Sequence, residues 1–409
     1  MPVADCEAPK SRQMKCWNRI LFKRVDQGRK LKITETATVG APAAIDHKRG
    51  SQTMNPRRIS TCIVGYGYWG PNLARNIATG ATTELVAICD SDGESRRRAR
   101  KQHPAVPVIT SWEDVLNDNE IAAVVIALPM AKHFEFALQA LKAGKHVMVE
   151  KPLAETVAQC DALEVAARQS GCVLMVGHTF EYNGAVLAVR DYLRQGLLGE
   201  LYYIAMRRLN LGIVRSDGNA MWSLAPHDIS ILCTWLEREP VSVNASGVAH
   251  LQPGIEDVVF LTVHFDGGVV GHIQSSWLDP GKVREATVVG SKKMLVYDDV
   301  SPDAKLRLYD KGIVRQAKPA SLGHAEDFAS FQMIARAGDI LIPKINVREP
   351  LAVQVEHFGQ CIQDGTEPRS GVASGRRVVA VLEAAQRSLR NRGELEPVHL
   401  ERRPTEVAA

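Results

Sequence analysis

The sequence lacks the cysteine patterns of a disulfide framework or a zinc site. Its eight cysteines are scattered over 409 residues, and none forms a Cys-x-x-Cys pair. Cys62, Cys89 and Cys172 stand inside apolar, strand-like runs, which is typical of reduced and buried thiols. We therefore expect a protein of the cytoplasm, where thiols stay reduced.

Long apolar runs, targeting signals and metal-ligand pairs are also missing. No apolar stretch approaches the roughly 18 residues that a membrane-spanning helix needs. No apolar secretory segment follows Met1. The twelve histidines form no ligand pair on one helix face. The sequence thus predicts neither a membrane span nor a metal site.

An excess of positive charge is absent from most of the chain. Residues 1–54 carry 11 Lys and Arg against 5 Asp and Glu, which leaves the other 355 residues with a net charge of −2. A nearly neutral body does not indicate a nucleic-acid-binding surface. Because residues 1–54 also lack periodic apolar patterning, they are predicted to be a disordered basic N-terminal extension. The remaining length favours two domains, at 55–177 and 178–395, and then a flexible tail at 396–409.

The first of these domains alternates short apolar strands with helices. This alternation predicts a parallel sheet with right-handed crossovers, and six strands suffice for a Rossmann dinucleotide-binding domain. The strands are predicted at Ile59–Val64, Glu84–Asp90, Val106–Thr110, Ile121–Leu128, Val147–Val149 and Cys172–Val176.

The second domain is richer in strands. Six strand-like runs lie between residues 201 and 297, with hairpin turns predicted at Asp266-Gly-Gly268 and Gly290-Ser291. This pattern predicts an α+β domain with one large, open antiparallel sheet, so the fold class is α/β followed by α+β. Helices are predicted at Pro226–Trp235, Leu351–Gln363 and Gly375–Asn391.

A glycine pattern joins the first strand to the first helix. Gly65, Gly67 and Gly70 have the spacing of the dinucleotide fingerprint, and Asp90 lies twenty residues beyond Gly70 at the end of the second strand. The glycines let the backbone approach a pyrophosphate at the helix N-terminus. We expect Asp90 to accept the ribose hydroxyls and to favour NAD over NADP, although the basic run Arg96–Arg98 follows closely. The alternative is a glycine-rich turn in another α/β fold.

A charged pair ends the strand Val147–Val149. Glu150 and Lys151 precede Pro152, which cannot continue a strand ladder. Ligands bind at the carboxyl ends of parallel strands, so both side chains are expected in a binding crevice. Desolvation there lowers a lysine pKa toward the range of a general acid or base. The alternative is a surface ion pair.

Several of these motifs together resemble the Gfo/Idh/MocA family of glucose-fructose oxidoreductases, inositol dehydrogenases and rhizopine-catabolism proteins. They are the glycine fingerprint, Ala127 to Pro129 with His133, the run Ala143–Leu153, and Trp222 with Pro226-His-Asp228 and Trp235. The resemblance covers residues 58–395. It implies a bound nicotinamide cofactor and a Lys151 that contacts the substrate hydroxyl and the nicotinamide ribose. The expected cofactor-binding residues are Gly65, Tyr66, Gly67, Tyr68, Trp69, Gly70, Asp90, Leu128, Pro129, His133, Glu150 and Lys151.

His227 is the second predicted catalytic residue. It follows Pro226 at what should be the first turn of a helix, where the helix dipole disfavours an imidazolium. A neutral imidazole there suits a general base, and the resemblance identifies it as the family's catalytic histidine. Ser223 departs from the pattern, because many family members have an aspartate four residues before that histidine. This departure leaves a non-catalytic NAD-binding sensor as an alternative.

Polar and aromatic residues crowd the end of the predicted strand Leu201–Asn210. Arginines there suit a phosphate or carboxylate, and an aromatic side chain can stack on a base or sugar; a solvated strand edge is the alternative. Tyr182 and Asn183 match the part of the family fold that lines the sugar pocket. The expected substrate-binding residues are Lys151, Tyr182, Asn183, Arg208, Asn210, Arg215, Asn219, Trp222, Ser223 and His227.

Together these features predict an NAD-dependent dehydrogenase that oxidises a secondary hydroxyl of a sugar. The run from Arg208 to Trp235 resembles the branch acting at C3 of nucleotide-linked, UDP-N-acetylhexosamine-type sugars. A dehydrogenase of free sugars or inositols, or a 3-ketosugar reductase, remains as an alternative. A large open sheet needs a covering surface, so a homo-oligomer, dimer or tetramer, is also expected.

Removal of residues 1–53 tests the predicted extension. A chain that begins at Met54 should match the full chain in melting temperature and NAD affinity, because the extension cannot bury enough apolar surface to offset its ordering entropy. Thermal unfolding and calorimetric titration measure both. A clear loss in either would show that the extension packs on the body.

Overall fold

A six-stranded parallel sheet forms the first half of the body. The computed structural model describes residues 58–212, 214–315, 333–336, 338–346 and 348–400. The strands run in the order β3-β2-β1-β4-β5-β6, and every neighbouring pair is parallel. The strands are β1 (Ile59–Val64), β2 (Thr83–Cys89), β3 (Val108–Ile109), β4 (Ala123–Ile126), β5 (His146–Val149) and β6 (Leu174–Val176).

Both faces of this sheet are covered by helices, which is why its strands are almost wholly apolar. All four residues of β4 are buried, and β1 ends in four consecutive buried residues. The predicted Rossmann architecture is therefore confirmed. The helices are α1 (Gly70–Thr79), α2 (Gly93–Gln102), α3 (Trp112–Asn117), α4 (His133–Lys142) and α5 (Val157–Ser170).

A nine-stranded sheet forms the second half, in the order β16-β13-β12-β11-β7-β10-β9-β8-β17. Helices α6 (Gly184–Arg194), α7 (Ala220–Leu236) and α9 (Val372–Arg390) pack against it, whereas α8 (Pro350–Asp364) packs against α1 and the parallel sheet. A separate hairpin is formed by β14 (Gly312–Arg315) and β15 (Met333–Arg336). The strands are β7 (Leu201–Leu209), β8 (Pro240–Val248), β9 (Val258–Phe265), β10 (Val270–Ser276), β11 (Val283–Gly290), β12 (Met294–Asp298), β13 (Leu306–Tyr309), β16 (Ile340–Leu341) and β17 (Glu396–Pro397).

The second sheet is mixed, which corrects the prediction of an antiparallel one. Strand β7 lies between β10 and β11, antiparallel to β11 but parallel to β10. The helix α7 supplies the crossover that lets the chain leave β7 and return for β8. Both predicted hairpin turns are confirmed, since β9 pairs with β10 and β11 with β12 antiparallel.

The predicted flexible tail needs a second correction. Residues Glu396 and Pro397 form the edge strand β17 beside β8, and Val398 is buried against the core. The guanidinium of Arg376 donates to the carbonyl of Leu400 at 2.8 Å. Pairing to an exposed sheet edge thus orders the chain up to residue 400. The predictions for residues 1–54 and 401–409 lie outside the described residues.

Helices α6, α7 and α9 bury an apolar surface against one face of the second sheet. The core there includes Ile229, Leu232 and Trp235 of α7 and Val381 of α9. Contact is close, because a Cβ on Gly271 would lie 2.7 Å from a methyl of Leu232. This packing fixes α7, the helix that carries His227. No helix in the described ranges is long and apolar enough to cross a membrane.

Candidate active site

A cleft of about 1140 Å³ lies between the carboxyl ends of the parallel strands and the second sheet. One wall consists of the loops that follow β1, β4 and β5. The other wall consists of α7, the end of β7, the start of β11 and the segment after β12. Its volume is slightly above the usual range of about 300–1,000 Å³ for ligand pockets. Predicted site residues on its surface are Gly67, Tyr68, Trp69, Leu128, Pro129, His133, Glu150, Lys151, Asn183, Arg208, Asn210, Arg215, Trp222, Ser223 and His227.

The glycine loop has the geometry that a pyrophosphate site needs. Gly65 has a φ of +95°, and a Cβ on it would lie 2.6 Å from the carbonyl oxygen of Ala127. A Cβ on Gly70 would lie 2.3 Å from the carbonyl oxygen of Gly65. At Gly67, by contrast, nothing lies within 4 Å, so the backbone faces open space. The first turn of α1 has no side-chain cap. Its N–H groups therefore suit a phosphate.

Asp90 follows β2, as predicted, and is held by two backbone amides. Its Oδ2 accepts from the N–H of Tyr66 at 2.6 Å, and its Oδ1 accepts from the N–H of Asp92 at 2.7 Å. The guanidinium of Arg96 donates to the carbonyls of Asp90 and Ser91, and that of Arg98 to the carbonyl of Tyr66. The carboxylate is thereby aimed beside the glycine loop, while both arginines are engaged by backbone carbonyls.

His133 connects two of the loops that line the cleft. It is buried, with Nδ1 at 2.7 Å from the carbonyl oxygen of Pro152 and Nε2 at 2.9 Å from that of Leu128. Burial lowers its pKa, whereas the contacts with the two carbonyl groups raise it. The described contacts of His133 thus tie the loop after β4 to the loop after β5.

Lys151 extends from the end of β5 to α7. Its Nζ donates to the carbonyl oxygen of Ser223 at 2.7 Å. Desolvation lowers the pKa of Lys151 to about 8; Glu150 opposes this shift, and Arg215 and Arg208 add to it. Desolvation also raises the pKa of Glu150. The structure therefore places at the cleft an ammonium group that titrates near neutral pH.

His227 lies in the cleft, but the predicted position in its helix is wrong. Helix α7 begins at Ala220, where the side chain of Asn219 accepts from the N–H of Trp222 at 3.2 Å, and Pro226 stands inside the helix. His227 is therefore two turns from the N-terminus, beyond the strong part of the dipole. Its pKa is nevertheless far below the usual value, because of desolvation and then the charges of Lys151 and Arg208.

The imidazole of His227 is held by packing rather than by a carboxylate. The ring of Phe180 packs edge-on against it with centroids 5.1 Å apart. Its Nδ1 is buried without a hydrogen-bond partner in the described residues. Nε2 is consequently the nitrogen available to a substrate. Ser223, one helical turn earlier, contributes its backbone carbonyl to Lys151, and its side chain lines the cleft.

Three of the predicted substrate-binding residues form hydrogen bonds with other residues of the chain. Arg208 forms a buried two-point ion pair with Asp228, at 2.9 and 2.7 Å, and lies 4.6 Å above the ring of Phe180. Arg215 pairs in the same way with Asp217 at 2.8 and 2.9 Å. Asn219 caps α7 and lies in an adjacent cleft, outside the main one. The ion pair of Arg208 with Asp228 was not predicted from the sequence.

Tyr182 does not reach the cleft, which corrects its predicted contact with substrate. Its ring is buried and its hydroxyl lies 3.0 Å from Oγ of Ser370. Asn183 does line the cleft, where its Oδ1 caps α6 and its Nδ2 donates to Asp299 at 3.3 Å. Trp222 borders both clefts, with its indole N–H donating to Gln386 at 3.0 Å.

Four residues on the wall opposite the parallel strands were not predicted from the sequence. Phe180, Arg284, Asp299 and Lys305 all line the cleft. They come from a short turn, from β11 and from the segment between β12 and β13, which share no motif. Only Asp299, which directly follows β12, has a position from which a site residue could have been predicted. In the described residues no group of three or more His, Cys, Asp and Glu is arranged to hold a metal ion.

Comparison with known proteins agrees with this geometry. A family model described as an oxidoreductase family with an NAD-binding Rossmann fold matches residues 59–178. The model of the GFO/IDH/MocA C-terminal domain matches residues 186–296. The two matches together cover more than half of the chain and include Lys151, Arg208 and His227 of the cleft.

Individual relatives are more distant. The chain is 31% identical over 203 residues to the uncharacterized oxidoreductase YdgJ of Escherichia coli, covering 47% of this chain and 58% of that one. It is 25% identical over 327 residues to UDP-N-acetylglucosamine 3-dehydrogenase of Acidithiobacillus ferrooxidans, covering 78% and 94%. The crystal structure of GenD2 from gentamicin A biosynthesis, in complex with NAD, shares the fold, with a TM-score of 0.70 and 22% identity over 86% of this chain and 99% of that one. The chain belongs to the Gfo/Idh/MocA family of oxidoreductases.

Proposed function

We propose that this protein is an NAD-dependent dehydrogenase that oxidises a secondary hydroxyl of a sugar, carried on a nucleotide and of the UDP-N-acetylhexosamine type, at C3. The observation that carries the proposal is the hydrogen bond from Lys151 Nζ to the carbonyl oxygen of Ser223, which lies one turn before His227 on α7. A cationic donor and a neutral imidazole thus line one cleft, next to a glycine loop that suits a dinucleotide. The similarity to a UDP-N-acetylglucosamine 3-dehydrogenase supports the choice of substrate.

His227 and Lys151 have different roles at the hydroxyl group that is oxidised. The neutral His227 takes the hydroxyl proton on Nε2 as a general base. The ammonium of Lys151 donates to the hydroxyl oxygen and stabilises the negative charge that develops there as the hydride leaves. The bound nicotinamide supplies the hydride acceptor. The glycine loop and the N-terminus of α1 would hold its pyrophosphate, and Asp90 its adenosine ribose.

Replacement of Lys151 and His227 tests these two roles. Lys151→Ala and His227→Ala should each lower kcat by ~10²–10⁴-fold, the typical contribution of a positioned acid–base group. NAD affinity should be largely kept in His227→Ala, because the histidine lies on the substrate wall. Ser223→Asp should preserve or raise activity, since it adds a carboxylate one turn before the histidine. Steady-state nicotinamide reduction with nucleotide sugars measures these effects, with Arg168→Ala, at an exposed position of α5 outside the cleft, as the control. Wild-type turnover by Lys151→Ala would refute the mechanism.

The rate should fall in alkaline solution. A pKa of about 8 means that Lys151 loses its proton, and with it the stabilising charge, as the pH rises through that value. The lowered pKa of His227 means that the base stays neutral well below pH 6.5. The pH profile of kcat/KM for oxidation should thus decline above pH ~8. Lys151→Arg, which stays protonated, should lose that decline at a lower overall rate. A wild-type rate that keeps rising above pH 8 would instead make neutral Lys151 the base.

Cofactor choice should depend on Asp90. Because its carboxylate is already fixed by two amides, it presents a preformed acceptor to ribose hydroxyls and repels a 2′-phosphate. Asp90→Ala should weaken NAD binding by ~1–3 kcal/mol, the cost of losing a charged hydrogen bond. Calorimetric titration with NAD and NADP measures this. Tighter binding of NADP by the wild type would implicate Arg96–Arg98 in recognition of the phosphate.

The open face of the second sheet supports the expected homo-oligomer. Helices cover one face, whereas Tyr203 and Phe260 on the other remain 46% and 38% exposed. Apolar surface of this kind favours pairing of two sheets in a closed oligomer. Tyr203→Arg with Phe260→Arg should shift the protein toward monomer in light scattering. Val165→Arg, an equally exposed apolar site on α5, is the matched control. A wild-type monomer at micromolar concentration would contradict the proposal.

A further inference from the structure

The cationic side chains on the cleft differ in how fully their donors are used. Arg208 and Arg215 each give two hydrogen bonds to one aspartate. Among the described residues, Arg284 gives a single long bond, from Nη1 to Asp299 Oδ2 at 3.3 Å. Lys305 also gives one, from Nζ to the backbone carbonyl of Asp299 at 2.9 Å. Arg284 and Lys305 therefore keep most of their donors for a ligand.

The strand register fixes these groups on the substrate wall. Arg284 of β11 lies directly opposite Arg208 of β7, so both side chains share one face of the sheet. The N–H of Asp299 donates to the carbonyl of Arg284 at 2.9 Å, which sets the carboxylate beside the guanidinium. The hydroxyl of Tyr297 donates to Asp299 Oδ1 at 3.0 Å. Asp299 is thus a rigid support for the two cations.

The charges on this wall do not balance. Three cationic groups, Arg208, Arg284 and Lys305, face the two carboxylates of Asp228 and Asp299. The Arg208–Asp228 pair is buried, and the side chain of Asp299 is only 16% exposed. Opposed like charges on neighbouring strands are destabilising, and an incompletely paired charge in a partly desolvated site is costly. An anionic ligand would offset the remaining positive charge.

We propose that Arg284 and Lys305 form an anion subsite that binds a carboxylate or phosphate carried by the sugar substrate, with Asp299 as the positioning residue. This inference rests on the proposed function, and it assigns anion recognition to Arg284 of β11 and to Lys305 instead of Arg208 and Arg215. The charge of Arg284 also contributes to the lowered pKa of His227, so the guanidinium acts on the predicted general base. The subsite would favour substrates that carry the charge on or next to the oxidised sugar.

Binding measurements separate this subsite from catalysis. The NAD-loaded protein is titrated calorimetrically with glucose, glucuronate and glucose 1-phosphate, and the ratio of each anionic affinity to that of glucose is recorded. We expect at least one anionic sugar to bind roughly 10- to 100-fold more tightly than glucose, the effect of charge-assisted hydrogen bonds. The preferred sugar identifies the group as a carboxylate or a phosphate.

Variants then assign the preference to its residues. Arg284→Gln and Lys305→Gln should each bring the ratio of anionic-sugar affinity to glucose affinity close to one. Arg207→Gln, the same charge loss at the neighbouring position of β7, should leave it unchanged because Arg207 pairs with Glu285 outside the cleft. A wild type without preference for either anion, or a preference kept in both cleft variants, overturns the subsite. Anion-selective binding without any hydride transfer refutes the proposed function instead and leaves the subsite standing.

Discussion

The hydrogen bond from Lys151 to the carbonyl of Ser223 is the interaction on which the site depends. It connects the end of a parallel strand to the helix that carries His227, and so it joins two separately built sheets at one point. Separately, burial of the ammonium in the cleft lowers its pKa to about 8. The hydrogen bond therefore sets the geometry of the cleft, and desolvation sets the chemistry of its cation.

Charge pairing explains how so many basic groups coexist in one cleft. Arg208 is neutralised by Asp228 below the surface, and Arg215 by Asp217 at the rim. Breaking the buried pair on one side would leave an uncompensated charge, at a typical cost of ~3–5 kcal/mol. These pairs hold the wall in place, while Lys151, Arg284 and Lys305 retain donors for ligands. The division between structural and available cations is a property of the folded chain.

The parts of the site that could be predicted from the sequence are those encoded locally. A Cβ on Gly70 would collide with Gly65 of the same turn, and the glycine spacing between a strand and a helix, with Asp90 beyond, indicated the dinucleotide loop. Lys151 ends a strand beside a proline, and that local pattern places it at the crevice. The Rossmann strand order follows from right-handed crossovers between consecutive elements.

The parts that were missed depend on distant segments. The parallel pairing of β7 with β10 joins strands separated by a helix and two other strands, which no local pattern encodes. Pro226 looked like a helix start, but the cap at Asn219 begins α7 six residues earlier, because a proline within a helix is tolerated when packing supports it. Arg284 and Asp299 meet only through sheet register.

A crystal structure of the protein with NAD tests the central claim most directly. The account predicts that the pyrophosphate lies on the loop at Gly67, that the adenosine ribose meets Asp90, and that the nicotinamide lies beside Lys151 with its reactive carbon turned toward His227. A reacting sugar carbon would then fit at ~3–3.5 Å, the distance of a near-attack geometry. A dinucleotide bound in the adjacent cleft beside Gln386, or a nicotinamide remote from Lys151, would contradict the account.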